Sequence, residues 1–180
     1  MKVSFARQVT SHHFNQRPDG ADVDLLVIHN ISLPPGEFGG NYIEQFFLGN
    51  LDSAAHPFFK EIEDLRVAAH FLIKRDGEVI QFIDTEHRAW HAGVSIWQGR
   101  ENCNDYSIGI ELEGTDDLNY EPEQYDALVQ LTQALIGEYP GITLERIVGH
   151  CDIAPGRKTD PGKSFDWSLF KKRLTESKLS

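Results

Sequence analysis

One loop of this chain, from Gly149 to Gly162, gathers an imidazole (His150), an ammonium group (Lys158) and a carboxylate (Asp160) between the chain breakers Pro155, Gly156, Pro161 and Gly162. That mixture suits a metal held beside a group that stabilises negative charge. A second imidazole lies far upstream, where the apolar run Leu25-Leu26-Val27-Ile28 stops at His29. A catalytic zinc takes three protein ligands and keeps a fourth position for water. His29, His150 and Asp160 meet that count, and imidazole and oxygen donors suit zinc better than calcium or magnesium. Spacing alone does not establish the site, because there is no His-Glu-x-x-His and eight histidines offer many pairs. His12, His13, His56 and His87 are expected on loops or facing solvent, and His70 as a hydrogen-bonded core residue. Cys151 follows His150 on what reads as extended chain, so it should point the other way and serve as a small buried side chain.

Two further groups could carry a reaction. Glu111 interrupts the apolar stretch Ile108, Ile110, Leu112, a position that favours burial. A buried carboxylate has a raised pKa and can act as a general base near neutrality, passing a proton from an activated water to a leaving amine. Glu113, Asp116 and Asp117 are expected to be solvated. Lys158, between the two ligands of its loop, could face the oxyanion that forms when water attacks a carbonyl. Its neighbour Arg157 should point away. Trp90 in Ala89-Trp90-His91-Ala92-Gly93 could be a core residue or a flat wall for a sugar or peptide. Arg66 could hold a substrate carboxylate and Asn30 a peptide backbone.

The elements that must position these residues are legible in outline. Leu25 to His29 reads as a buried central strand. Asn41 to Leu48 reads as a short helix capped by Asn41 and stopped by Gly49. The stretch to Asp64 looks irregular, with an exposed pair in Phe58 and Phe59. Val67 to Lys74 and Glu78 to Ile83 flank Asp76-Gly77, a hairpin signal that favours a type I′ turn with both central residues at positive φ. Ser107 to Glu113 alternates, with Ile108, Ile110 and Leu112 on one face. Pro122 to Tyr139 is the best helix, with Tyr125, Leu128, Leu131, Thr132 and Leu135 along one side. Arg146 to Val148 gives a further strand, and Asp166 should cap a last helix carrying Trp167, Phe170 and Leu174. This mixture predicts an α/β fold, a central mixed β-sheet flanked by helices.

A chain of 180 residues can bury roughly 70% of its unfolded surface. No linker, repeat or low-complexity tract divides it, so one domain over 1–180 is expected, with its core from about 11 to 170. The 28 acidic against 17 basic side chains argue against a nucleic-acid or anionic-membrane partner. A local cluster of Arg66, Arg88, Arg100 and Lys158 could still receive an anionic substrate. No apolar segment approaches the length of a membrane span, and the N-terminus lacks the apolar stretch of a secretory signal. Cys103 and Cys151 are too few for a disulfide framework, and two free thiols suit a reducing cytoplasm. The working expectation is a cytoplasmic monomer.

Five stretches together resemble the zinc N-acetylmuramoyl-L-alanine amidases of the phage-lysozyme and peptidoglycan-recognition group. They are Val27 to Gly40, Ala69 to Ile73, Arg88 to Gly93, Cys103 to Gly114 and His150 to Gly162, and they span most of the chain. The resemblance implies Zn2+ on His29, His150 and Asp160, with Glu111 as proton acceptor and Lys158 as transition-state stabiliser. It implies cleavage between the lactyl group of muramic acid and L-alanine in 1,6-anhydro-N-acetylmuramyl peptides, a small-molecule muropeptide substrate. It also implies a role in peptidoglycan recycling and, where an inducible β-lactamase exists, an indirect restraint on its induction. Related proteins that place cysteine at the third ligand position, or lack it and only bind, differ from this chain, which has Asp160. Other readings are a lytic amidase acting on intact cell wall, a muropeptide-binding module without hydrolysis, or a structural zinc, which would want a fourth ligand. The segment from Pro34 to Asp64 is the candidate for motion or for covering substrate.

Overall fold

Two neighbouring parallel strands form the centre of the molecule. Leu25–Ile31 (β3) and Ser107–Glu113 (β9) run in register from Leu25 beside Ser107 to Ile31 beside Glu113. Every residue of β9 is buried, because it has strands on both edges and side chains packed on both faces. The computed structural model describes residues 1–176; the last four residues of the expected domain lie outside that range.

The remaining strands extend the sheet. Phe71–Ile73 (β4) joins β9 in parallel, and Val79–Gln81 (β5) pairs with β4 antiparallel. Arg7–Gln8 (β1) adds to β5, and Ile147–Gly149 (β10) adds to β3, both in parallel. The order β1-β5-β4-β9-β3-β10 is a mixed six-stranded sheet, as expected. Two small antiparallel pairs lie beside it: Phe14–Gln16 (β2) with His87–Ala89 (β6), and Ile96–Trp97 (β7) with Arg100–Glu101 (β8).

Each face of the sheet has its own cover. Leu26, Ile28, Ile108, Ile110 and Leu112 pack against Pro122–Glu138 (α3) and Trp167–Glu176 (α5) through Leu128, Leu131, Leu135, Phe170 and Leu174. A capping box between Glu121 and Gln124 starts α3. Asp166 starts α5 by accepting the Leu169 N–H at 2.9 Å. On the other face, Leu72 and Ile80 meet Phe46 and Phe47 of Tyr42–Leu48 (α1) and Phe59 of Phe59–Ile62 (α2). Leu25 and Val27 meet Ala92, Tyr106 and Ile153 on that same side.

Four expectations are corrected. Phe59 is fully buried and starts a helical turn, because the bulky pair at 58–59 closes the second core. Glu113 is buried, its oxygens accepting N–H groups from Gly39 at 2.8 Å and Arg75 at 3.1 Å. His13 is buried against the Val67 carbonyl at 3.0 Å. In the hairpin, only Gly77 takes positive φ (85°). Its N–H bonds to Lys74 O, and the Asp76 carboxylate accepts the Glu78 N–H instead, so the connection is longer than a type I′ turn.

Candidate metal centre

Strand register places the first three chemical groups. Partners across parallel strands present side chains to the same face, and His29 is the partner of Glu111. On the other side of β3, Val148 pairs with Val27 and Gly149 with Ile28, so His150 follows at the level of His29. All three therefore stand at the C-terminal ends of parallel strands, where open α/β sheets form their crevices.

The loop after β10 brings the carboxylate back. His150–Ile153 (α4) is one helical turn, whose start is closed by Gly149 N–H donating to Asp152 Oδ2 at 2.7 Å. The chain returns so that Cys151 N–H donates to Asp160 O at 3.0 Å. Beyond Asp160, Tyr120 Oη donates to Pro161 O at 2.7 Å, and Gly162, at φ 80°, lies against the backbone of Asp116. The helical turn replaces the extended geometry expected for His150-Cys151. Cys151 is half-buried rather than buried, and Cys103 is the buried thiol; neither forms a disulfide.

His29 Nδ1, His150 Nδ1 and Asp160 Oδ2 form a triangle with sides of 2.9, 3.1 and 3.1 Å. His150 Nε2 faces the Ala92 carbonyl at 2.9 Å and must donate to it, so a single ring proton there leaves Nδ1 as a lone pair. Burial pushes His29 down to about 4, so its ring is neutral near pH 7. Two ring nitrogens and a carboxylate oxygen thus crowd together within 3.1 Å. A cation bonding each at about 2.0–2.2 Å resolves that arrangement, and the two-imidazole, one-carboxylate set is one zinc accepts. The donors present therefore fit a metal ion, and among the described residues they are the cluster that could hold one.

Glu111 lies beside this triangle. Burial pushes its carboxyl well above the usual range; Asp160 adds to the rise and the Lys158 charge opposes it. Its buried Oε2 has no hydrogen-bond partner in the protein, so one oxygen remains available to a reacting group. Lys158 is exposed and lines the same cleft, whose volume of about 400 Å³ suits a small molecule. Arg157 does point away, donating to the carbonyls of Ala92 at 2.7 Å and Val94 at 2.6 Å.

The other expected site residues divide. Trp90 lines the cleft, half-buried, its Nε1 donating to Asn15 Oδ1 at 3.0 Å. Asn30 also lines it, though one amide hydrogen is engaged by Asp116 Oδ1 at 2.8 Å. Arg66 is exposed and donates to the carbonyls of Glu63 at 2.8 Å and Leu65 at 3.1 Å; Leu65 and Val67 on either side of it line the cleft. The basic cluster is not formed, because Arg88 pairs with Asp105 and Arg100 with Asp24. Two contributors lie within stretches that carry the family resemblance, but the sequence gives neither of them a role. His91 meets His29 Nε2 through its Nδ1 at 2.8 Å, and Asn104 Oδ1 accepts the N–H groups of His91 at 3.1 Å and Ala92 at 2.8 Å. The cleft's apolar end is built by Phe46, Phe47, Phe58 and Ile62, from the segment expected to cover substrate.

Residues 19–163 match the family model described as N-acetylmuramoyl-L-alanine amidase. The chain belongs to that family. It is 60% identical over 166 residues to the 1,6-anhydro-N-acetylmuramyl-L-alanine amidase AmpD of Escherichia coli K12, covering 92% of this chain and 90% of that protein. The AmpD of Citrobacter freundii is 58% identical over 172 residues, covering 96% and 91%. The crystal structure of a selenomethionine AmpD derivative superposes with a TM-score of 0.93 at 57% identity, covering 95% of each chain. The mixed sheet and its helical cover are thus this amidase family's fold, and the triangle of His29, His150 and Asp160 falls within the matched residues.

Proposed function

We propose that this chain is a zinc enzyme of peptidoglycan recycling that hydrolyses the amide between the lactyl group and L-alanine in 1,6-anhydro-N-acetylmuramyl peptides. The observation that carries the reading is the close triangle of His29, His150 and Asp160 beside a buried Glu111 with an unpartnered oxygen. Close similarity to amidases named for that substrate supports the choice of bond.

His29, His150 and Asp160 would hold the zinc, which would supply a Lewis acid and make a nearby water more acidic. Glu111 takes the proton of the attacking water and delivers it to the amide nitrogen as the C–N bond breaks. A carboxyl with a raised pKa can hold that proton near neutrality and release it to an amine. Lys158, at the open side of the cleft, donates N–H to the carbonyl oxygen as negative charge gathers there. Trp90 and the aromatic side chains of the apolar end shield one flank of the substrate, and Asn30, held by Asp116, borders the other. The two free thiols favour the cytoplasm as the working compartment. The chain acts as one catalytic domain. Among the described residues no helix is long and apolar enough to cross a membrane.

The test is release of stem peptide from a defined 1,6-anhydro-N-acetylmuramyl tripeptide, with zinc-loaded and chelator-treated protein. Hydrolysis that is lost with the metal and restored by zinc is expected. A parallel assay on intact sacculi should give far less product. Unhydrolysed ligand recovered after long incubation with zinc-loaded protein would overturn the reading in favour of a binding module.

A further inference from the structure

We propose that His91 is a positioning residue, one that fixes the tautomer and orientation of His29, and that Gly109 is the seat that allows it. The inference rests on the metal reading of His29, His150 and Asp160. If Nδ1 of His29 is to face a cation, the single proton of its neutral ring must sit on Nε2. The atom that meets Nε2 is His91 Nδ1, at 2.8 Å, so His91 must accept there. Its own proton then sits on Nε2 and points at Ser107 Oγ, 3.1 Å away and fully buried. The hydrogen-bond line Ser107–His91–His29 thus runs in one direction only when the triangle holds a metal.

Three features mark this as a built arrangement. The first is the position of Gly109 beneath the ring. A Cβ at 109 would lie 2.5 Å from His91 Cγ and Nδ1, so any larger residue would push the ring out of line with His29. The second is economy: the next residue, Ala92, supplies the carbonyl that takes the Nε2 proton of His150. One dipeptide therefore sets both imidazoles, and Asn104 holds it through both N–H groups. The third is saturation. Although His91 lines the cleft, both its ring nitrogens are engaged by His29 and Ser107, leaving none for a substrate.

The test reads metal binding rather than turnover. Zinc affinity is measured by competition with a chromophoric chelator, and ligand geometry by the visible absorption of the cobalt-substituted protein. His91→Phe keeps a ring but removes the acceptor, and should weaken zinc by about 10- to 100-fold, the usual cost of losing an outer partner of a ligand histidine. His91→Asn returns an oxygen acceptor near the Nδ1 position and should recover much of that loss. Gly109→Ala should act in the same direction as His91→Phe and shift the cobalt bands, although it changes no polar group. Thermal unfolding of the metal-free variants checks that each is folded; if Gly109→Ala is not, the Phe and Asn pair decides. Wild-type affinity and unchanged cobalt bands in His91→Phe would overturn the positioning role alone, as would equal weakening in Phe and Asn. Failure of the wild-type protein to bind zinc would overturn the metal reading and this inference with it.

Discussion

Glu111 and Glu113 sit two residues apart on one face of one strand, both buried, yet their surroundings give them different work. Glu113 spends its oxygens on the backbone N–H groups of Gly39 and Arg75 and ties a loop to the sheet. Glu111 keeps Oε2 without a protein partner and has a carboxyl raised by burial. Glu111→Gln is therefore expected to keep one zinc per chain while losing about 10²- to 10⁴-fold in turnover, the span of a general base. Metal analysis beside the anhydromuropeptide assay checks both halves, and normal turnover in the variant would remove Glu111 from the proton path. Asp160→Ala should do the reverse at the first step, weakening zinc itself. Lys158→Met should bind zinc normally and lose about 10²- to 10³-fold in kcat with little change in KM, since the charge it meets exists only in the transition state. A loss confined to KM would make Lys158 a substrate anchor instead.

The return loop from His150 to Gly162 shows what a sequence can and cannot carry at the level of elements. Its ligands were legible because residue types announce chemistry, and β3, β9 and α3 because hydrophobic period announces burial. The sign of burial at Phe59, Glu113 and His13 was not legible: each is decided by partners far away in sequence, such as Gly39 for Glu113 and Val67 for His13. The role of His91 is hidden for the same reason: the residue stands in a recognisable stretch, but its partner His29 is 62 residues upstream. Glycines were only half readable. Gly162 looked like a simple breaker, but it combines a left-handed φ of 80° with close approach to Asp116, whose carboxylate holds Asn30. Gly162→Ala is thus expected to cost about 1–3 kcal/mol of unfolding stability and to loosen zinc, because the loop that delivers Asp160 must shift. Urea unfolding with a zinc titration tests this. Stability within about 0.5 kcal/mol of the parent would show that the loop absorbs the added carbon without strain.

His70 couples the molecule as a whole to pH. Its Nδ1 accepts the Gly109 N–H at 3.0 Å, so its proton is on Nε2, which donates to His87 O at 3.0 Å. The ring thereby ties β4 and β6 to the central strand β9. Arg17, 3.3 Å from Nε2, meets a donor with a donor there, and its charge opposes protonation. Burial first, and Arg17 next, push His70 down to about 3 from an ordinary value of about 6.5. The sign follows from proton counts. Between these values the unfolded chain binds a proton that the folded chain refuses, so the stability present above pH 6.5 is lost as pH falls toward 3. One such group contributes a slope of up to about 1.4 kcal/mol per pH unit. His29, lowered to about 4, adds a second slope in metal-free protein. The excess of acidic side chains pulls the other way, since acidification relieves their mutual repulsion. A paired measurement separates these contributions: His70→Asn keeps an acceptor for Gly109, removes the titrating ring and leaves the rest of the charge unchanged. Metal-free His70→Asn should be less stable than the parent at pH 7, and the gap should narrow as urea midpoints are followed down to pH 5. A gap that stays constant with pH would mean that His70 takes up its proton without unfolding the core.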